Sequence, residues 1–137
     1  MSLIEWDDKF SVGIQEVDEH AKQFVCLLNL IKEDFALGVS DTTRDTLLST
    51  LRSFCQFHFE YEERLMRKMA FPGLLAHKED HNSFFDSVTA SSNLLQDEFG
   101  EVLQEMGRWA HRHFGQLHAE LKQYGGGASG PGTFDGA

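Results

Sequence analysis

The chain has 137 residues, of which 41% are hydrophobic, and carries a formal net charge of −10 at pH 7. That length and apolar content fit one domain with a sizeable core, and the acidic balance argues against nucleic acid as a partner. No stretch approaches the roughly 20 apolar residues of a membrane span, and the start, Met1–Asp8, lacks the basic and apolar regions of a secretory leader. A cytoplasmic protein with no membrane partner is expected.

After an irregular N-terminal arm, Asp18 precedes an apolar stripe at Ala21, Phe24, Leu28, Ile31 and Phe35, the spacing of one helix face, and Gly38 closes it. A second helix is predicted from about Thr42 to Met69, with Leu47, Leu51, Phe54, Cys55, His58, Glu62 and Met66 on its inner stripe. Pro72-Gly73 breaks it. The third is predicted over about Leu74 to Phe99, turning His77, His81, Phe84, Phe85, Val88 and Leu95 inward, and Gly100 separates it from the fourth. That helix, about Glu101 to Tyr124, places Met106, Ala110, His113, Leu117 and Leu121 on one face. Short connections imply an all-α, antiparallel up-down-up-down four-helix bundle over residues 1–124.

From Gly125 the composition turns to Gly-Gly-Gly-Ala-Ser-Gly-Pro-Gly, which reads as a flexible tail over 125–137: a native terminus, a linker, or a vector-derived remnant. The two cysteines, Cys26 and Cys55, sit in apolar helical stretches without CxxC spacing and read as buried free thiols. Cys55 lies one turn before His58, so core packing and a thiolate near the site are both open to it.

Chemistry concentrates in two pairs at one-turn spacing, His58 with Glu62 and His77 with His81, followed by His113 and His118. Residues at i and i+4 project from one helix face, so three helices direct His and Glu into one core. A lone inward histidine is ordinarily a hydrogen-bonded core residue. His58, Glu62, His77, His81 and His113 together reverse that reading, because an unpartnered buried carboxylate costs several kcal/mol. Imidazole suits iron, zinc, copper or nickel, and the carboxylate tilts the choice toward iron or manganese over zinc.

The run Trp6-Asp7-Asp8-Lys9-Phe10-Ser11-Val12-Gly13-Ile14, Val17-Asp18-Glu19, His58-Phe59-x2-Glu62-Glu63-x-Leu65-Met66, His77-x3-His81 and Trp109-x3-His113-Phe114 together resemble a bacterial hemerythrin over about residues 4–124. The resemblance implies a four-helix bundle holding two non-haem iron ions, with manganese or zinc substitution or a single metal as variants. It implies that dioxygen or another small diatomic or peroxide ligand binds there. By position, His77, His81 and His113 match the ligands of one iron, His58 a ligand of the other, and Glu62 a bridging carboxylate.

Two positions depart from that pattern. The family writes Asp-Glu-Gln-His-Lys on its first helix, whereas this chain has Asp18-Glu19-His20-Ala21-Lys22, so Ala21 stands where the ligand histidine belongs. One residue is about 100° of helix rotation, which leaves His20 flanking the inner stripe as a surface residue or a neighbour of a ligand, unless the first helix rotates or locally overwinds to bring it to the metal. On the last helix the family has His-x4-Asp and this chain His113-x4-His118. A carboxylate bridges two metals and a neutral imidazole binds one. His118 is therefore expected as a terminal ligand beside His58, completing the metal set His58, Glu62, His77, His81, His113 and His118. Glu63 is expected to point away, solvated or accepting a hydrogen bond from a ligand, and His111 to be exposed. Phe114 is expected to line the small-molecule pocket or the core. The function so implied is ligand binding for delivery or sensing. The alternatives are a peroxidase- or oxidase-like di-iron enzyme, favoured by open coordination positions, and a metal-binding sensor module of a longer protein.

Overall fold

In a computed structural model, which describes residues 3–38, 40–91, 94 and 96–128, the regular structure among the described residues is entirely helical. The arm is held by side chains that satisfy its backbone. The Asn29 amide accepts from the Leu3 and Ile4 N–H groups at 2.8 and 3.3 Å and donates to the Ile4 carbonyl at 2.7 Å. A 3-10 turn over Asp8–Phe10 follows, with Asp7 accepting from the Lys9 N–H at its start. The arm crosses the last helix at Gly107, where a Cβ would lie 3.1 Å from the Leu3 carbonyl oxygen.

Helix α1 spans Gln15–Ala36. It starts three residues before Asp18, which therefore lies in the first turn and accepts from Ser11 Oγ at 2.5 Å and the Val12 N–H at 2.8 Å. Gly38 follows its end at φ +73°, a left-handed conformation that glycine adopts without a Cβ clash. Helix α2, Asp41–Lys68, is capped by Ser40, whose Oγ accepts from the Thr43 N–H. Helix α3 covers Leu74–Ala90 and α4 Gln96–Arg112. The third helix thus ends nine residues before the expected Phe99, and Gly100 lies inside α4 rather than between helices. A lone glycine costs a helix only about 1 kcal/mol, so α4 absorbs it while Phe99 packs fully buried. Leu95 lies outside the described residues.

From His113 to Leu117 the last helix widens into a π-helical turn, closed by the His118 N–H donating to the His113 carbonyl, and then continues as α5, His118–Ala128. The wider turn inserts one residue on the inner face, so His113, Phe114, His118 and Leu121 are buried. Leu117, expected inward from a 3.6-residue period, is only half-buried. Helix α5 continues four residues past the expected start of the tail, whose remainder lies outside the described residues.

Helix α2 packs on α1 and α3, and α4 packs on both α1 and α3, closing the antiparallel four-helix bundle. Two apolar clusters fill it. The larger joins Phe24, Leu28, Leu51, Phe59, Phe84, Leu103, Met106 and Trp109 with their neighbours, and the smaller joins Val12, Val17, Leu65, Met66, Phe71 and Leu121. Along α2, His58 and Glu62 fall between Cys55 of the larger cluster and Leu65 of the smaller. A polar layer therefore lies between two apolar ones. None of the described helices is long and apolar enough to cross a membrane.

Candidate metal centre

Each helix after the first sends polar side chains into the layer between the clusters. Helix α2 supplies His58 and Glu62, α3 supplies His77 and His81, and the π turn with α5 supplies His113 and His118. All six are at most 1% exposed. The π turn is what allows the last pair. At an α-helical 100° per residue, a spacing of five places His118 about 140° away from His113, whereas a turn of i→i+5 returns it to the same face.

Glu62 is the hub, and its two oxygens face different neighbours. Oε1 lies 2.5 Å from His77 Nε2, 3.3 Å from His81 Nε2 and 3.7 Å from His113 Nε2. Oε2 lies 3.0 Å from His118 Nε2 and 3.4 Å from His58 Nε2. Five imidazoles thus converge on one carboxylate through the same ring nitrogen, three on one oxygen and two on the other. One ligand atom each from Glu62, His77, His113 and His118 lies within 4.8 Å of the others.

Hydrogen bonding leaves this arrangement short of partners. His58 Nε2, His118 Nε2 and Glu62 Oε2 are buried without any hydrogen bond, and His81 Nε2 faces His113 Nε2 at 3.2 Å. Buried polar atoms without partners each cost about 1–3 kcal/mol. A cation accepting their lone pairs removes that cost, so the donors present fit a metal, and imidazole with carboxylate is a donor set for it.

Curated relatives share most of this chain. A bacteriohemerythrin of Clostridium acetobutylicum is 31% identical over 107 residues, covering 74% of this chain and 81% of its own. The chain belongs to the hemerythrin-like family. A hemerythrin-like protein of Naegleria gruberi is 31% identical over 112 residues, covering 82% of this chain and 85% of its own, and a bacteriohemerythrin of Stenotrophomonas maltophilia is 25% identical over 140 residues, covering 90% and 88%. No protein-family model and no solved structure matches the chain.

Within this hemerythrin-like bundle the electrostatics favour ligand-competent protonation states at His58, His113 and Glu62. Burial pushes the His58 imidazole down to about 3 and His113 to about 4, so both rings are neutral and offer a lone pair. Burial alone raises a carboxylic acid, but His118 nearby, with the His113 and His77 imidazoles around its other oxygen, overrides it and holds Glu62 well below the usual range. Burial likewise opposes charge on His81, yet hydrogen bonds to Glu62 and Glu63 raise its pKa overall.

The outer nitrogens reveal residues that the sequence reading left open or missed. Glu63, expected to be either solvated or the acceptor of a hydrogen bond from a ligand, is buried and accepts from His81 Nδ1 at 2.8 Å. Asp80 accepts from His113 Nδ1 at 2.8 Å and pairs with Arg112 at 3.4 Å. The only sequence signal for Asp80 is its place one residue before His81 and three after His77, a position beside the inner stripe.

Helix α1 contributes a methyl group where the other helices contribute donors: Ala21 is fully buried between Val17 and Phe24. His20 flanks it, half-buried, with its ring 5.5 Å from His58 and 5.1 Å from both Phe57 and Tyr61, outside the ring of atoms around Glu62. Its pKa is lowered by burial, against the pull of Glu62 and Glu16. His111 is exposed, as expected, with its ring edge against Phe10. Cys55 is fully buried in the larger apolar cluster, whereas Cys26, expected buried, is exposed on α1. A helix in a bundle has one solvent face, and Cys26 lies two residues past Phe24, about 200° from the stripe.

Proposed function

We propose that this hemerythrin-like protein holds two non-haem iron ions and binds dioxygen or a related small ligand such as nitric oxide, for delivery or sensing. His77, His81 and His113 would hold one metal and His58 and His118 the other, with Glu62 shared between the two groups. The observation that carries this reading is the division of five histidines between the two oxygens of one buried carboxylate, three to Oε1 and two to Oε2. The bridge that an Asp carboxylate provides in the family pattern is absent here, since His118 offers one nitrogen to one metal.

Ferrous iron in such a site supplies electrons and coordination positions to a small ligand. The protein contributes the neutral imidazoles of His58 and His113, the deprotonated Glu62 carboxylate, and a screen of aromatic rings. Phe59 stacks on His81 at 4.0 Å and Trp109 on His113 at 4.5 Å, while Phe114 packs edge-on to His118 at 5.0 Å. That screen restricts bulk water and larger solutes, so it selects ligands of a few atoms.

Ala21 favours a second reading, in which the His58 and His118 side, with fewer protein donors, turns over peroxide. The two are separated by one set of measurements on protein loaded with Fe(II). Two irons per chain by elemental mass spectrometry and an absorption band that appears with dioxygen and disappears on its removal support carriage or sensing. Peroxide turnover with a dye that is lost in His118→Ala supports the enzyme. A stoichiometry of one iron in saturated wild-type protein refutes the two-metal reading.

A further inference from the structure

The six inner side chains are not equally supported from outside. His81 is clamped twice, by Glu63 on Nδ1 at 2.8 Å and by Phe59 stacked on its ring with the planes 4° apart. His113 is clamped the same way, by Asp80 on Nδ1 at 2.8 Å and by Trp109 stacked 11° from parallel. A carboxylate on Nδ1 holds the proton there, which forces the lone pair onto Nε2, the nitrogen that faces Glu62. Both clamps fall on the three-histidine side. On the other side the outer Nδ1 atoms of His58 and His118 are buried with no hydrogen-bond partner, and the parallel ring beside His58, Phe54, stands off at 6.0 Å. His77 Nδ1 also lacks a partner, so its position rests on the contact of Nε2 with Glu62.

We propose that Glu63 and Asp80 are positioning residues that impose an order on metal uptake: the position formed by His77, His81 and His113 fills first and holds its ion, while the one formed by His58 and His118 fills second and exchanges. This rests on the two-metal reading above. The physical cause is pre-organisation. Two of three rings at the first position already have their tautomer and plane set before a metal arrives, and a carboxylate on the far nitrogen makes the imidazole a stronger donor. At the second position both rings choose tautomer and plane only when the ion binds, and α1 offers Ala21 in place of a donor.

The test uses metal-free protein with 15N-labelled histidine, titrated with Zn2+, a diamagnetic probe that leaves ring spectra readable. In wild type the first equivalent is expected to shift the ring signals of His77, His81 and His113, with the latter two in the Nδ1–H form before any metal is added. The second equivalent then shifts His58 and His118. Glu63→Leu and Asp80→Leu are expected to weaken binding of the first equivalent about 10–100-fold in competition with a chelator. Glu63→Gln, which keeps an acceptor oxygen, is expected to retain the Nδ1–H form of His81 and most of the affinity. Simultaneous shifts of all five rings in the first equivalent overturn the order. An Nε2–H form of His81 and His113 in metal-free wild type, or unchanged affinity in folded Leu variants, overturns the positioning role. A single Zn2+ bound at His77, His81 and His113 with normal clamps instead refutes the two-metal reading and leaves the positioning role standing.

Discussion

Replacing Glu62 by Gln perturbs the centre where the two histidine groups meet. The side chain is fully buried and isosteric with its replacement, so packing is preserved while one of its two oxygens becomes an NH2 group. An amide nitrogen donates and does not ligate, so whichever group it faces, the trio at 2.5–3.7 Å or the pair at 3.0–3.4 Å, loses its shared ligand. Metal binding is linked to folding, and each ion present at 100 times its dissociation constant stabilises the folded chain by about 2.7 kcal/mol. At about 2.1 cal/mol/K of unfolding entropy per residue over 137 residues, one ion is worth about 9 °C in melting temperature. Adding metal should therefore raise the melting temperature of wild type by about 19 °C and of Glu62→Gln by about 9 °C or less. Comparing each protein with and without metal by calorimetry cancels any effect of the substitution on the metal-free fold. A variant that still carries two ions per chain, with an undiminished rise, would show that Glu62 is not the bridge.

His118→Ala should lower the metal content of saturated protein towards one per chain by elemental mass spectrometry, whereas His20→Ala should leave it nearly unchanged; the opposite pattern would place His20 at the metal. Exposed Cys26 should react with a thiol reagent in native protein while Cys55, fully buried and with its thiol pushed up by that burial, should react only on unfolding, so that two fast thiols in the native state would contradict the packing around Cys55. Phe24→Ala, which empties a fully buried position against Phe84, Trp109 and Phe114, should destabilise the metal-free fold by about 3–5 kcal/mol in chemical denaturation. A loss well below 1 kcal/mol would mean that the larger apolar cluster collapses around the gap.

Most of the fold is legible in the chain because long helices repeat one face many times. The stripes through Phe24, Leu28 and Ile31, and through Leu51, Cys55 and Met66, all lead to buried residues. Boundaries are less legible, since they depend on a single local competition. Gly100 reads as a break, yet the burial of Phe99 and Leu103 on either side keeps that stretch helical. Leu117 shows the same limit: a 3.6-residue period cannot anticipate a π turn, in which one extra residue per turn rotates every later side chain.

Spacing by itself determined which helices carry donors and that Ala21, not His20, faces the core, because the i, i+3, i+4 rule acts within one helix. Relations between helices have no such rule. That His118 shares a face with His113 through a π turn, that Glu62 divides five histidines between its oxygens, and that Glu63 and Asp80 reach the outer nitrogens of His81 and His113 were decided by tertiary structure. Each depends on ångström-scale offsets between helices, which packing of the two apolar clusters sets and no residue interval encodes.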